Sequence, residues 1–123
     1  GREYEFGVND CFSLVQSYYQ KFEIEMPRYA FEDNWYDKGL DYFGDLWQNY
    51  EGWSEATDGS LLKNDLLYFN VDSSVPNHCG VYLGDDLLLH HAYNRLSCRE
   101  LLYPFWGKYK TKILRNEKCK QYI

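Results

Sequence analysis

The stretch His78-Cys79-Gly80-Val81-Tyr82-Leu83-Gly84-Asp85-Asp86-Leu87-Leu88-Leu89-His90-His91-Ala92 sets two apolar runs of strand length on either side of one turn-forming triplet, and it holds all three histidines of the chain. Runs of this kind around Gly-Asp-Asp read as an antiparallel hairpin. Successive strand side chains point to opposite faces, so only one of His90 and His91 shares a face with His78. With Gly84-Asp85-Asp86 as a three-residue loop, Leu83 opposes Leu87 and Gly80 opposes His90. His78 and His90 then share a face, while Cys79 and His91 point away from it. A loop of two or four residues would reverse the parity and bring in His91. The three-residue reading is preferred because Leu87 already begins the next apolar run.

Upstream, Asp65-Leu66-Leu67-Tyr68-Phe69 reads as a buried strand, and a further strand around residues 111–114 completes a small antiparallel sheet. Residues 115–123 read as a charged tail. Ahead of the sheet, Phe12, Val15, Tyr19 and Phe22, with Leu14 and Tyr18 alongside, recur at helical intervals and predict an amphipathic helix over about residues 10–23. Asn9 or Asp10 caps it, and it ends before Met26-Pro27. Leu40, Phe43, Trp47 and Tyr50 have the same spacing and predict a second helix over about residues 38–50, its stripe facing the core. Helices first and hairpin strands after is an α+β order, with N-terminal helices packed on a small antiparallel sheet. A chain of 123 residues is the size of one domain, spanning 1–123.

The helix start carries Cys11. First-turn N–H groups have no partner in the helix, and the positive end of its dipole favours an anion, so this is where a thiolate forms most easily. A free thiol near pKa 8.5 falls to roughly 3.5–7.5 at a helix start or beside an imidazolium. A cysteine or a histidine taken singly is more often a structural residue. Here a nucleophile candidate is joined by the base it needs and by a group to orient that base: His78 opens one strand, and His90 or His91 lies on its partner.

Composition narrows the field. A net charge of −6 argues against nucleic-acid binding, which needs a clustered basic face. No apolar run has membrane-spanning length, so a soluble domain without membrane insertion is expected. Cys11, Cys79, Cys98 and Cys119 lack the paired spacing of a zinc site or a disulfide framework. They read as thiols of a protein made in a reducing compartment, with two bridges as the alternative.

These residues resemble the NlpC-type cysteine peptidases of bacterial cell-wall hydrolysis, a papain-like family, and especially the form found in tail-tip assembly proteins of tailed phages. The family's Asp-Cys at a helix start is matched by Asp10-Cys11, and its Gly-Asp-Leu strand by Asn64-Asp65-Leu66. Its His-x-Gly-Ile/Val-Tyr-Leu-Gly strand is matched by His78-Cys79-Gly80-Val81-Tyr82-Leu83-Gly84, the specific part of a resemblance that runs from Tyr4 to about Arg99. The family's third polar residue, twelve positions beyond its histidine, is matched by His90.

The resemblance implies Cys11 as nucleophile, His78 as general base and acid, and His90 as the residue orienting His78. The backbone N–H of Cys11 would serve the oxyanion hole. It implies a substrate site at Tyr4, Asp10 and Phe12, with Phe12 standing where the family has a substrate-contacting serine. The reaction implied is amide hydrolysis through an acyl-enzyme, at a D-γ-glutamyl to diamino acid bond of the peptidoglycan stem peptide, with no metal or organic cofactor. The setting implied is synthesis in the host cytoplasm, a place in the virion tail beside other tail-tip proteins, and action in the periplasm or cell wall. Two other classes stay open. One is a structural tail-assembly protein with weak or conditional activity, using the aromatic, acidic segment 27–60 as its surface. The other is a papain-like amidase or acyltransferase on another amide or ester.

Overall fold

Asp10 starts the α-helix that carries Cys11. Its carboxylate accepts the backbone N–H of Ser13 at 2.9 Å and of Gly7 at 2.8 Å, and the Ser13 hydroxyl accepts the N–H of Asp10 at 2.7 Å. This reciprocal capping box satisfies first-turn donors and fixes where the helix begins. The helix, α1, runs Cys11–Gln20 and turns Phe12, Val15 and Tyr19 inward, as their spacing predicts. The structure, a computed structural model, describes residues 1–27, 43, 47, 48 and 50–122. The second helix expected over 38–50 lies outside the described residues as an element. Of its stripe, Phe43 and Tyr50 are buried in the core beneath α1, and Trp47 packs against it.

Among the described residues six strands form one antiparallel sheet: β1 (Trp53–Glu55), β2 (Leu66–Phe69), β3 (His78–Gly84), β4 (Leu87–His90), β5 (Cys98–Leu101) and β6 (Lys110–Asn116), in the order β1-β6-β2-β3-β4-β5. Side-chain alternation gives the sheet two buried faces. Leu66, Tyr68, Cys79, Val81 and Leu114 meet Phe12, Val15 and Tyr19 of α1 on one side. Leu67, Phe69, Leu88 and Ile113 meet Ala92, Leu102 and Trp106 on the other, where Trp106 stands in a short 3-10 turn, Trp106–Tyr109.

The junction of α1 with the sheet is fixed at Asn64, whose φ of 77° is a left-handed conformation that asparagine tolerates. Its carbonyl accepts the Tyr19 hydroxyl at 2.8 Å, and its side-chain oxygen accepts the Tyr18 hydroxyl. Next to it, buried Asp65 takes a bidentate pair from Arg115 at 2.8 and 2.7 Å, tying β2 to β6.

The hairpin turn is shorter than the sequence suggests. Gly84 pairs with Leu87, so Asp85 and Asp86 alone make the loop, with φ of 53° and 63° as in a type I′ turn. Such a loop would by itself have brought His91 into line. A bulge between Tyr82 and Gly84 adds the missing residue, so Tyr82 still faces Leu88 and Gly80 faces His90.

The C-terminal segment also departs from expectation. Arg115 and Asn116 belong to β6, and a 3-10 turn, Glu117–Tyr122, follows with Cys119 buried in the core. Pairing with Asp65 neutralises Arg115, and Asn116 closes the turn by accepting the N–H of Lys118 at 2.9 Å.

Gly80 pairs with Leu67 of β2 on one side and His90 of β4 on the other. A Cβ there would lie 2.8 Å from Leu88 Cδ1, 2.9 Å from the backbone oxygen of Leu89 and 3.0 Å from His90 Cβ. Gly80→Ala is therefore expected to destabilise the protein by about 1–3 kcal/mol, as overpacking against fixed backbone does. Denaturant unfolding of the variant checks this; an unchanged midpoint would refute the register.

Candidate active site

Cys11 is the first residue of α1, which covers one face of the sheet, whereas His78 points to the other face from the first position of β3. The two meet at the strand end, where the sheet no longer separates them, and both line a cavity of about 550 Å³. The Cys11 thiol hydrogen-bonds with Cys79 and with His78. These bonds, the Cys79 one foremost, with the charge of His78, hold the half-buried thiol at about 5, against burial and the Asp10 carboxylate, which push it up.

Behind His78 the polar groups continue in single file. His78 Nε2 lies 2.8 Å from His90 Nδ1, and His90 Nε2 lies 3.1 Å from Glu100 Oε1. The first of these bonds leaves Nδ1 as the His78 nitrogen turned to Cys11. Burial, aided by His78 and opposed by Glu100, pulls His90 down to about 4. Trp106 covers both rings, its centroid 5.2 Å from that of His78 and 4.6 Å from that of His90.

The structure thus brings Cys11, His78 and His90 together, and it adds Tyr4. That ring lines the cavity and meets His91 and Tyr93 edge-on at 5.4 and 5.1 Å. Asp10 and Phe12 do not join them. Asp10 is buried and engaged in the helix cap, and Phe12 is buried in the core against Phe43. Phe12 thus adds to the core and leaves the cavity wall to other residues.

One further expectation, that Cys79 lies away from the site, is corrected, while His91, expected to be packed or solvated, is packed. Cys79 does point to the face opposite His78, but α1 packs on that very face, so Cys79 touches Cys11 instead of lying away from it. His91 is packed, its Nε2 2.8 Å from the carbonyl of Arg95, and it forms part of the cavity wall.

Glu100, Arg95 and Trp106 were not singled out in the sequence. Alternation along Cys98-Arg99-Glu100-Leu101 was the available signal for Glu100, but so short an edge strand shows no clear period. Ligand atoms of His90, Cys98 and Glu100 lie within 4.8 Å of one another. The Arg95 guanidinium, 2.9 Å from Glu100, and the indole N–H of Trp106 already occupy that carboxylate, so a metal ion would have to displace a cation and a donor.

All four cysteines are thiols. Burial pushes Cys119 up to about 11 and raises Cys98 as well. A thiol reacts as its thiolate, so iodoacetamide at pH 6 is expected to label Cys11 ahead of the other three, with half-maximal rate near pH 5. Peptide mapping checks this, and faster labelling of Cys79 would overturn the geometry.

No helix among the described residues is long and apolar enough to cross a membrane. Against known proteins, residues 1–115 match the model of the NlpC/P60 family. Tail tip assembly protein K of Escherichia phage lambda is 36% identical over 118 residues, covering 94% of this chain and 58% of that protein. Its namesake in Escherichia phage N15 is 32% identical, covering 98% and 52%. The chain therefore spans little more than half the length of these relatives. Among solved structures, an NLP/P60 family protein similar to lipoprotein from Staphylococcus aureus Mu50 superposes with a TM-score of 0.62 at 22% identity, over 94% of this chain and 37% of that one. NlpC2 from Trichomonas vaginalis gives 0.63 at 21%, over 92% and 40%. With the α+β fold and the match along nearly its whole length, the chain belongs to the NlpC/P60 family.

Proposed function

We propose that this chain is a cysteine peptidase domain, spanning 1–123, of a phage tail-tip protein. It would hydrolyse the D-γ-glutamyl to diamino acid amide of peptidoglycan stem peptides during cell-wall penetration or tail assembly. The observation that carries the reading is a cysteine at a helix start lining one cavity with a histidine whose far nitrogen is fixed by a second histidine, and the lowered thiol agrees with it. That is the nucleophile, base and orienting group of covalent amide hydrolysis. The stem peptide and the tail setting are supported by the family and by the names of the phage relatives.

In this reading the Cys11 thiolate attacks the amide carbonyl while the backbone N–H of Cys11 stabilises the oxyanion. The C–N bond breaks as His78 Nδ1 gives its proton to the leaving amine. Water then enters, His78 takes its proton, hydroxide cleaves the thioester, and the acid and the thiol are released. His90 keeps the His78 ring turned so that Nδ1 faces Cys11. Tyr4 borders the substrate cavity.

Both phage relatives carry assembly in their names, which favours a structural role in the tail as the second reading. Purified cell wall incubated with the protein, followed by mass spectrometry of released muropeptides against a Cys11→Ala control, separates the two. Release of fragments ending at the γ-glutamyl bond only with Cys11 present is the expected result; no release would favour the structural role, and a different bond would make the chain another amidase.

The rate is expected to follow a bell with pH. It rises as Cys11 loses its proton near pH 5, and falls again when the imidazolium that protonates the leaving amine is lost. The two limbs belong to the Cys11–His78 pair jointly. A rate that climbs steadily through pH 9 would argue against the pair. His90→Ala should lower kcat on the order of 10²-fold or more, and His91→Ala should stay within about tenfold, with circular dichroism checking that both variants fold.

A further inference from the structure

We propose that Glu100 is a positioning residue that sets the protons of the site: it holds a hydrogen on His90 Nε2, which in turn holds the His78 hydrogen on Nε2 and keeps His78 Nδ1 bare for the Cys11 proton. The inference rests on the peptidase reading and deepens it.

The argument is a count of donors and acceptors. Glu100 Oε1 faces His90 Nε2 at 3.1 Å and accepts the indole N–H of Trp106, while Oε2 accepts from Arg95 at 2.9 Å. Although burial opposes ionisation, the hydrogen bonds from Arg95, Trp106 and His90 hold its carboxyl at about 2, so this carboxylate only accepts. His90 Nε2 must therefore carry a hydrogen. With His90 held down at about 4, the ring has one hydrogen only, and its Nδ1 is a lone pair.

That lone pair lies 2.8 Å from His78 Nε2, and a hydrogen bond between two ring nitrogens needs one hydrogen between them. The hydrogen belongs to His78 Nε2. When Cys11 ionises, its proton passes from Sγ to Nδ1 of His78, and no other proton has to move. The imidazolium formed donates to His90, which donates to a fixed negative charge.

The groups facing Glu100 come from every side. They are His90 of β4, Arg95 of the β4–β5 connection, Trp106 of the 3-10 turn, and the Cys98 thiol of the same strand at 3.5 Å from Oε2. Arg95 holds the carboxylate ionised and Trp106 aims it. Trp106 also packs on both imidazoles, tilted against His78 and edge-on to His90, which keeps competing water from the bond between them.

Two substitutions test this. Glu100→Gln keeps an acceptor oxygen for His90 without the charge, and Glu100→Ala removes both. Labelling of Cys11 by iodoacetamide against pH needs no substrate, and muropeptide release gives kcat and KM. Glu100→Ala is expected to raise the pH of half-maximal labelling by about one unit or more and to lower kcat on the order of tenfold, with KM little changed. Glu100→Gln should fall between Ala and the unsubstituted protein. In the unsubstituted protein, ¹⁵N spectra of the imidazoles should show the His90 hydrogen on Nε2 and a bare Nδ1, a reading that needs no variant to fold. A hydrogen on His90 Nδ1, or a folded Glu100→Ala protein with an unmoved labelling profile, would overturn the proposal. If the protein releases no muropeptides yet the labelling profile shifts as expected, the relay stands and the peptidase assignment falls.

Discussion

A β-sheet separates what lies on its two faces, and the site depends on evading that separation. The nucleophile candidate belongs to α1 on one side, and the histidine pair belongs to the Trp106 side. They can meet only where a strand begins, so His78 has to be the first residue of β3 and Cys11 the first of α1. The Asp10 capping box fixes the second condition by deciding where the helix starts. Phe69, across from His78 in the β2–β3 register, and the ring of Trp106 fix the first by packing on the imidazole.

What the sequence made legible follows from the same physics. The helix could be read because burial on one side imposes a period on Phe12, Val15 and Tyr19, and because its cap is spelled out by Asp10 and Ser13. The pairing of Gly80 with His90 can be read from parity, although the turn is one residue shorter than the sequence suggests and the bulge before Gly84 adds the residue back. A bulge has no composition of its own, so the compensation was invisible. The edge strands β1 and β5 have three and four residues, too few to show alternation, and Glu100 went unnoticed with them. Arg115 reads as part of a charged tail because its partner Asp65 lies fifty residues away along the chain.

Asp10 shows how one residue serves two demands that conflict. Its carboxylate is what makes the helix begin at Cys11, yet its charge opposes the thiolate there. Hydrogen bonds from Cys79 and His78 outweigh that opposition. The residues that look like substrate contacts in a motif can thus be structural in the fold, as Asp10 and Phe12 both are.

The contacts of the site differ in how far apart their members lie along the chain. His78, His90 and Glu100 are separated by twelve and ten residues and sit on three successive strands of one meander. Cys11 joins them only by closing a long loop that holds β1, β2 and the segment between α1 and β1. Loop-closure entropy makes that the costliest of these contacts to form, and the burial of Phe12, Val15 and Tyr19 against the sheet is what offsets it. The strand-to-strand contacts of the histidines close locally, so the reactivity of Cys11 reports on the docking of α1 and not on the pairing of the meander.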